Sequence, residues 1–287
     1  MAERVEPRTL QGTMELLPPD QILFNRMYDT IRGVYESFGF LPLDTPVLEY
    51  ASVLLAKAGG ETEKQIYRFT KGDADLAMRF DLTVPLARYV AQHKADLVFP
   101  FKRYQMSKVY RGERPQKGRF REFYQCDIDI IGAESLDLMY DAEMPAVIYN
   151  VFTKLAFGDF VIRLNNRKVL NGFFASLGFA DKIGDILRTI DKLEKIGAEK
   201  VRAELAEFGV VGEAADKILA FIGIGGCNDA VLAALRALDC DDATFREGVD
   251  ELDKVIHYAY LYGIPEKNIA IDLTIARGID YYTGTVY

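Results

Sequence analysis

The chain has 287 residues, of which 49% are hydrophobic and 27% are charged, and its net charge is −8. This composition is typical of a globular protein with a sizeable core and excludes a disordered chain. No stretch approaches the roughly 18 unbroken apolar residues of a membrane span, and the N-terminus lacks a signal-peptide pattern, so we expect neither membrane insertion nor secretion. The three cysteines form no C-x-x-C pair, which argues against a zinc knuckle or a disulfide scaffold and favours the cytoplasm.

The first half of the chain mixes helical and extended patterns. Apolar residues at spacings of three, four and seven predict the first helix, and a segment with two prolines after it predicts a sheet edge or an interface. A period of two then predicts a pair of longer antiparallel strands. The predicted elements are helix 20–38, extended segment 41–49, strands 65–70 and 76–80, helix 83–94, and strands 101–111 and 119–131.

The second half is mostly helical in pattern. A helix over 137–157 and a strand over 159–165 come first. Helical patterns then fill 181–260, interrupted by short glycine-containing or acidic breaks. The final stretch, from 269 to 287, returns to strand. We read the helical part as an insertion or second domain.

Positive charge is concentrated in one segment, although the global charge does not attract nucleic acid or anionic lipid. Between residues 102 and 121 there are eight basic residues against one acid, Glu113. The ordinary interpretation of such a run is a solvated basic face, and we assign that role to Lys102, Arg103 and Lys108. The full basic set is Lys102, Arg103, Lys108, Arg111, Arg114, Lys117, Arg119 and Arg121.

The strand over 119–131 predicts two different faces. Its even positions are mostly apolar and are expected to pack on a core. Its odd positions form a polar row in which the arginines suit phosphate, an aromatic ring suits a base, and an amide and carboxylates suit an ammonium group or an imidazole. The alternative is an exposed strand face with salt bridges between neighbours. The row consists of Arg119, Arg121, Phe123, Gln125, Asp127 and Asp129.

Several common sites are absent from the sequence. It has no G-x-x-x-x-G-K-[ST] string, which excludes a P-loop. Its two histidines, His93 and His257, both fall in helical patterns, which argues against a histidine-based zinc site or a catalytic triad. We therefore assign no metal ligands to the protein.

Four segments resemble the histidyl-tRNA synthetases, a family of class II aminoacyl-tRNA synthetases. Residues 110–125 (YRGERPQKGRFREFYQ) resemble motif 2 in its histidyl version, and residues 276–286 (ARGIDYYTGTV) resemble the histidine-specific motif. The helix 20–38 with the strand after it resembles motif 1, which builds the dimer interface in that class. Residues 79–85 (RFDLTVP) resemble the amino-acid-binding segment.

The resemblance implies an α+β fold, with a class II antiparallel sheet flanked by helices and a helical insertion. It implies a catalytic core over 1–170, the insertion over 171–248, and a return to the core over 249–287. The implied reaction joins histidine and ATP into histidyl-adenylate and pyrophosphate, and then transfers histidine to tRNA(His). It further implies a cytoplasmic homodimer, with Mg²⁺ bridging the outer phosphates of ATP.

The resemblance also assigns site residues by position. Toward ATP, Arg111 is expected at the α-phosphate, Glu113 on the adenine side, Arg119 at the γ-phosphate and Phe123 stacked on adenine. Toward histidine, the expected ligands are Asp81, Thr83 and Gln125 for the α-amino group, and Asp129 and Tyr282 for the imidazole. Tyr281 belongs to the same motif, although only one of the two adjacent tyrosines can face the site. Arg277 is expected to act in catalysis and to converge with Arg111 on the reacting centre.

The chain departs from the family where it stops, at Tyr287. The family continues into motif 3 and an anticodon-binding domain, so we expect a truncated chain whose activity is open. The main alternative is the regulatory subunit of ATP phosphoribosyltransferase, which shares the fold and senses histidine without charging tRNA. A regulator has no need of Arg111, Arg119 and Arg277 together. A third reading, a dimerising structural module, leaves the polar row unexplained.

Overall fold

The computed structural model describes residues 5–56, 61–275 and 282–287. Contacts divide the chain into two compact units, Met1–Leu136 and Asp137–Tyr287. Each unit has its own helices, strands and buried core. The boundaries at residues 170 and 248 remain a prediction from the sequence.

The first unit contains four helices and six strands among its described residues. In chain order these are α1 (Pro18–Ser37), β1 (Leu41–Pro42), β2 (Leu48–Tyr50), α2 (Ala51–Leu54), α3 (Glu61–Gln65), β3 (Arg68–Lys71), β4 (Ala74–Met78), α4 (Thr83–His93), β5 (Phe101–Tyr110) and β6 (Glu122–Ile131).

Helix α1 covers one face of the β5–β6 hairpin, as the apolar even positions predict. The Tyr35 hydroxyl donates to the Cys126 carbonyl oxygen at 3.0 Å, and the Tyr28 hydroxyl donates to the Met106 carbonyl oxygen at 3.0 Å. The ring of Tyr124 packs against the α1 side chains as well. The opposite face of the hairpin is thereby left for the polar row.

Strands β5 and β6 pair antiparallel over ten residues, which confirms the predicted ribbon. Strand β1 adds to β5 in parallel, and a second sheet has the order β2-β4-β3 with antiparallel pairs. The strand predicted over 65–70 begins later, at Arg68, because the residues before it close helix α3.

The second unit is mainly helical. Its helices and strands are α5 (Met139–Lys154), β7 (Ile162–Asn166), α6 (Arg167–Ser176), α7 (Ile183–Ile190), α8 (Leu193–Ile196), α9 (Ala198–Glu207), α10 (Glu213–Ile222), α11 (Asn228–Arg236), α12 (Ala243–Leu261), β8 (Ile269–Ile271) and β9 (Thr285–Val286). Strand β7 pairs with β8 in parallel and with β9 antiparallel. The single strand predicted over 269–287 is thus two short strands within the described residues.

The core of the second unit forms where α6 and α12 pack closely. A Cβ atom at Gly248 would lie 2.6 Å from the backbone nitrogen of Val169, and one at Gly172 would lie 2.3 Å from that of Phe245. The rings of Phe173 and Phe221 stack beside this contact with centroids 4.0 Å apart. Because glycine has no Cβ atom, these two positions allow the backbones of α6 and α12 to pack more closely than any larger residue would permit.

Along the described part of the chain, no helix is both long enough and apolar enough to cross a membrane.

Candidate functional site

The polar row lies on the hairpin face opposite α1. In the β5–β6 register, Asp129 pairs with Arg103, Asp127 with Gln105, and Gln125 with Ser107. Directly paired residues of an antiparallel ribbon project to the same side. The predicted row of β6 therefore shares its face with a second polar row on β5, and we call this face the pocket face.

Arg103 lies at the centre of the pocket face, and the expectation that it is solvated is wrong. Its side chain is 0% exposed, its Nη2 lies 2.6 Å from Oδ2 of Asp129, and the same Nη2 donates to the Leu82 carbonyl oxygen at 3.3 Å. The strand register explains why Arg103 is buried. Arg103 is paired with Asp129, so the two side chains project to the same face of the hairpin.

The neighbouring lysines behave differently from Arg103 because they occupy even positions. Lys108 forms an ion pair with Glu122 at 2.7 Å and is 40% exposed, and Lys102 donates to the Phe38 carbonyl oxygen at 2.7 Å. Both are held by protein groups on the α1 side of the ribbon rather than simply solvated.

The start of helix α4 contributes two further predicted residues. Oδ1 of Asp81 accepts a hydrogen bond from the Val84 backbone N–H at 3.1 Å, so this carboxylate caps the first turn of the helix. Burial raises the pKa of the Asp81 carboxyl, and that hydrogen bond and the Arg111 guanidinium lower it. Thr83, the first residue of α4, is exposed.

Asp127 of the pocket face interacts with two further carboxylates and with two guanidinium groups. Burial raises the pKa of Asp127 to about 6, with Asp129 and Asp81 raising it further and Arg103 and Arg111 lowering it. Burial also raises the pKa of Asp129, and Arg103 opposes that rise. Fully ionised, the five groups carry one net negative charge, which favours a cationic ligand.

Several buried polar atoms of the pocket face lack a hydrogen-bond partner among the described residues. They are Oε1 of Gln125, Oδ2 of Asp129, and Nε and Nη1 of Arg103. Oδ2 of Asp129 is close to Arg103, but the contact does not have hydrogen-bond geometry. Buried polar atoms are normally satisfied, so their concentration on one face marks a place where a ligand or water completes the bonding.

The predicted ATP residues lie at the far end of the hairpin. Nε of Arg111 donates to the Phe80 carbonyl oxygen at 3.0 Å, and its guanidinium carbon lies 5.1 Å from the centroid of the Phe123 ring. Glu113 and Arg119 form an ion pair at 3.6 Å in the connecting loop. The Arg119 side chain is 65% exposed, so it is accessible to an anion.

The remaining predicted residues come from the C-terminal stretch of the chain. Tyr282 belongs to the second unit and is 45% exposed. Arg277 and Tyr281 lie outside the described residues. The convergence of Arg111 with Arg277 therefore stays a prediction.

In the described ranges, no group of three or more His, Cys, Asp or Glu side chains is arranged to hold a metal ion. The pocket carboxylates are engaged with guanidinium groups and with a helix start. A Mg²⁺ ion here would accordingly need most of its ligands from phosphate oxygens and water.

Comparison with known protein families gives a match over nearly the whole chain. Residues 12–287 match the family profile described as "Histidyl-tRNA synthetase". The histidine–tRNA ligase of Clostridium tetani (strain Massachusetts / E88) is 62% identical over 283 residues, covering 99% of this chain and 64% of that protein. That of Xanthomonas oryzae pv. oryzae (strain PXO99A) is 51% identical and is covered to 66%. The chain thus spans just under two thirds of the length of these relatives.

Solved structures give the same fold. The crystal structure of histidyl-tRNA synthetase from Nostoc sp. PCC 7120 matches with a TM-score of 0.91 and 47% identity, covering 98% of this chain and 64% of that chain. A structure described as an ATP phosphoribosyltransferase regulatory subunit/histidyl-tRNA synthetase from Bacillus halodurans C matches with a TM-score of 0.84 and 20% identity, covering 99% of this chain and 72% of that chain. The predicted α+β architecture, rich in antiparallel pairs and flanked by helices, is confirmed.

Proposed function

Because the chain belongs to the histidyl-tRNA synthetase family, we propose that it is the part of a histidine–tRNA ligase that binds histidine and ATP and joins them as histidyl-adenylate. Transfer of the histidyl group to tRNA(His) would follow in the same protein. The observation that carries this proposal is the cluster of buried polar atoms on the pocket face that have no hydrogen-bond partner in the part of the chain that the structure describes.

The inner end of the pocket face suits histidine. Oε1 of Gln125 is a buried acceptor that has no hydrogen-bond partner within the described ranges, and it fits an ammonium group, as does the partly engaged carboxylate of Asp81. We assign Thr83 to the same ammonium group, and Asp129 to the imidazole together with Tyr282. The single net negative charge of the five ionised groups favours a ligand with a protonated amine.

The outer end suits a nucleotide. Arg111 and Arg119 supply guanidinium groups for phosphate oxygens, Phe123 supplies an aromatic ring, and Glu113 supplies an acceptor for the adenine side. Since one face of the Phe123 ring is already covered by Arg111, we assign adenine to its other face.

In the proposed reaction, a histidine carboxylate oxygen forms a bond to the α-phosphorus of ATP. The bond from that phosphorus to the bridging oxygen breaks, and pyrophosphate leaves with the electron pair. No protein base is required, because a carboxylate is ionised near neutral pH. Arg111, and Arg277 by prediction, would offset the negative charge that grows at the α-phosphate. The remaining rate enhancement would come from holding the carboxylate and the α-phosphate in line for reaction. We place Tyr281 among the histidine-binding residues on its motif alone.

Three further assignments belong to the same proposal. Mg²⁺ would accompany ATP and neutralise part of its charge. A homodimer is supported by the exposed apolar side chains of α1, where Ile22 is 62%, Leu23 is 55% and Met27 is 45% exposed. A cytoplasmic location is supported by all three cysteines being free thiols.

The alternative, a histidine-binding regulatory subunit, has weaker support. The structure whose title carries that description is 20% identical, which speaks to the fold alone. The curated ligases are 51% and 62% identical over 99% of this chain. The guanidinium groups at the nucleotide end also have no use in a protein that only senses histidine.

Histidine-dependent exchange of pyrophosphate into ATP tests the proposal. We expect exchange from a version extended past Tyr287 to the full length of the relatives, and about a hundredfold loss on Arg111→Ala, because a transition-state contact is removed. Arg68→Ala, an exposed arginine paired with Asp75, serves as the matched control and should retain activity. Exchange that is absent from the extended protein, with histidine binding retained, would favour the regulator instead.

A further inference from the structure

Arg103 is the largest fully buried side chain of the molecule's described part, and it is charged. Removing a guanidinium group from water costs several kcal/mol unless partners compensate it. Its nearest charged partner is Asp129 at 2.6 Å. The energetic cost of burying such a group calls for a reason beyond filling space.

The contacts of Arg103 join two separate elements. Its Nη2 reaches Asp129 on β6 and also donates to the carbonyl oxygen of Leu82, which lies between Asp81 and Thr83. One guanidinium therefore touches the residue assigned to the imidazole and the segment assigned to the ammonium group. No other described arginine makes that pair of contacts.

A comparison with Arg79 separates this arrangement from an ordinary structural arginine. Arg79 is 3% exposed, and its guanidinium donates to the carbonyl oxygens of Lys108 and Thr45 and to the Asp44 carboxylate. Nε and Nη1 of Arg103, in contrast, have no hydrogen-bond partner among the described residues. Leaving a buried donor unpaired lowers the stability of the folded state, so Arg103 is poorly explained as a stabilising element alone.

We propose that Arg103 is a positioning residue for histidine recognition, which orients the ionised Asp129 carboxylate toward the imidazole and fixes the segment 81–83 at the ammonium end. This inference rests on the proposed function. Arg103 acts through Asp129 and Leu82 and need not touch histidine itself.

The electrostatic consequence can be measured. Burial raises the pKa of Asp129 and Arg103 lowers it. Without Arg103, the Asp129 carboxyl would hold its proton to a higher pH, since Arg103 is the cation that opposes the effect of burial and the like charge of Asp127 lies close by. Histidine binding in Arg103→Met should consequently be weaker and should recover as the pH rises.

Calorimetric titration of the chain with histidine and, separately, with ATP tests the inference. We expect Arg103→Met to raise the histidine dissociation constant roughly tenfold at pH 7, and to change the ATP constant less than threefold. Arg103→Lys should restore part of the affinity. Arg88→Met, which breaks the ion pair of Arg88 with the buried Glu49, is the matched control and should leave histidine affinity within twofold.

A double-mutant cycle with Asp129→Asn identifies the route of the effect. If Arg103 works through Asp129, then Arg103→Met should cost less than threefold in the Asp129→Asn background. Histidine affinity within twofold of the parent in Arg103→Met, or full additivity in the cycle, would overturn the inference while leaving the proposed function intact. If Arg103→Met fails to fold, Arg103→Gln, which keeps a polar side chain but removes the positive charge, carries the same test through its pH profile, and an unchanged profile would overturn the inference. A parent chain that binds no histidine would contradict the proposed function itself.

Discussion

The pocket face of the β5–β6 hairpin and the contact between α6 and α12 bury different kinds of side chain. The helix pair buries apolar side chains and brings two backbones together at Gly172 and Gly248. The hairpin buries a guanidinium and part of two carboxylates, and several of their atoms have no hydrogen-bond partner among the described residues. The helix contact contributes to the stability of the fold, whereas the hairpin face has donors and acceptors that a ligand can bind.

A buried polar group is therefore not by itself a sign of function in this molecule. Asn228, 2% exposed, donates to the Ile269 carbonyl oxygen at 3.0 Å and accepts from the Ile271 backbone N–H at 2.8 Å. Its amide holds α11 to β8 and is satisfied within the protein. The informative sign is the concentration of buried polar atoms without a hydrogen-bond partner on one face, since elsewhere in the described residues only single atoms of Asn171 and Thr285 lack one.

Adding a single methyl group at the contact between α6 and α12 should destabilise the protein. Gly248→Ala places a methyl group 2.6 Å from the Val169 backbone nitrogen, so α6 and α12 must separate. We expect a loss of about 3 kcal/mol in the free energy of unfolding, measured by urea titration. Gly184→Ala in α7 is the control, because the nearest atom to its new Cβ is a side-chain nitrogen at 3.9 Å. Equal stability of the two variants would show that the close approach is not tight.

The stability of the folded protein should depend on pH through the ionisation of Asp127 on the hairpin. Its pKa is raised to about 6, so the folded protein holds this proton more tightly than the unfolded chain, and stability falls as the pH rises from about 4 to 6. Asp127→Asn removes that loss. We expect the variant to gain about 2 kcal/mol over the parent at pH 8 and almost nothing at pH 4.

Urea titrations at the two pH values measure the Asp127 effect. Asp96→Asn, whose side chain is 80% exposed, gives the baseline for removing a carboxylate. A gain that is the same at pH 4 and pH 8 would count against a buried, ionised Asp127.

The smallest effect is expected at Gln125, where stability and binding should move in opposite directions. Oε1 of Gln125 has no partner to lose among the described residues, so Gln125→Met should raise the free energy of unfolding by about 1 kcal/mol. The same change should weaken histidine binding about tenfold, because an ammonium acceptor is removed. Chemical denaturation and calorimetry on one sample measure both. A variant that loses stability would indicate that this oxygen has a structural partner.

Much of the fold could be predicted because local signals agree with the tertiary structure. The helix pattern over 20–38 and the alternation over 119–131 correspond to α1 and β6 within three residues at each boundary. The strand predicted over 159–165 begins at Ile162, since Gly158 has a φ of +95° and Asp159 lies in a bend. Boundaries of this kind depend on turn geometry that periodicity does not encode.

The site could be predicted only in part. The polar row of β6 follows from a period of two, but the inward direction of Arg103 depends on the register between two strands. The approach of Leu82 to Arg103 is a tertiary contact across 21 residues, and no pattern in the sequence specifies it. The same alternation applied to β5 would have separated Arg103 from Lys102 and Lys108.

The ten-residue ladder between β5 and β6 also limits how this protein can change over evolution. A point substitution in either strand changes one side chain on one face of the hairpin and leaves the other side chains on their faces. Deleting a single residue from either strand would exchange its two sides, sending the charged row under α1 and the apolar row outward. Length variation in this region should accordingly be confined to the connection over 111–121, so that any reshaping of the proposed nucleotide end leaves the proposed amino-acid end in place.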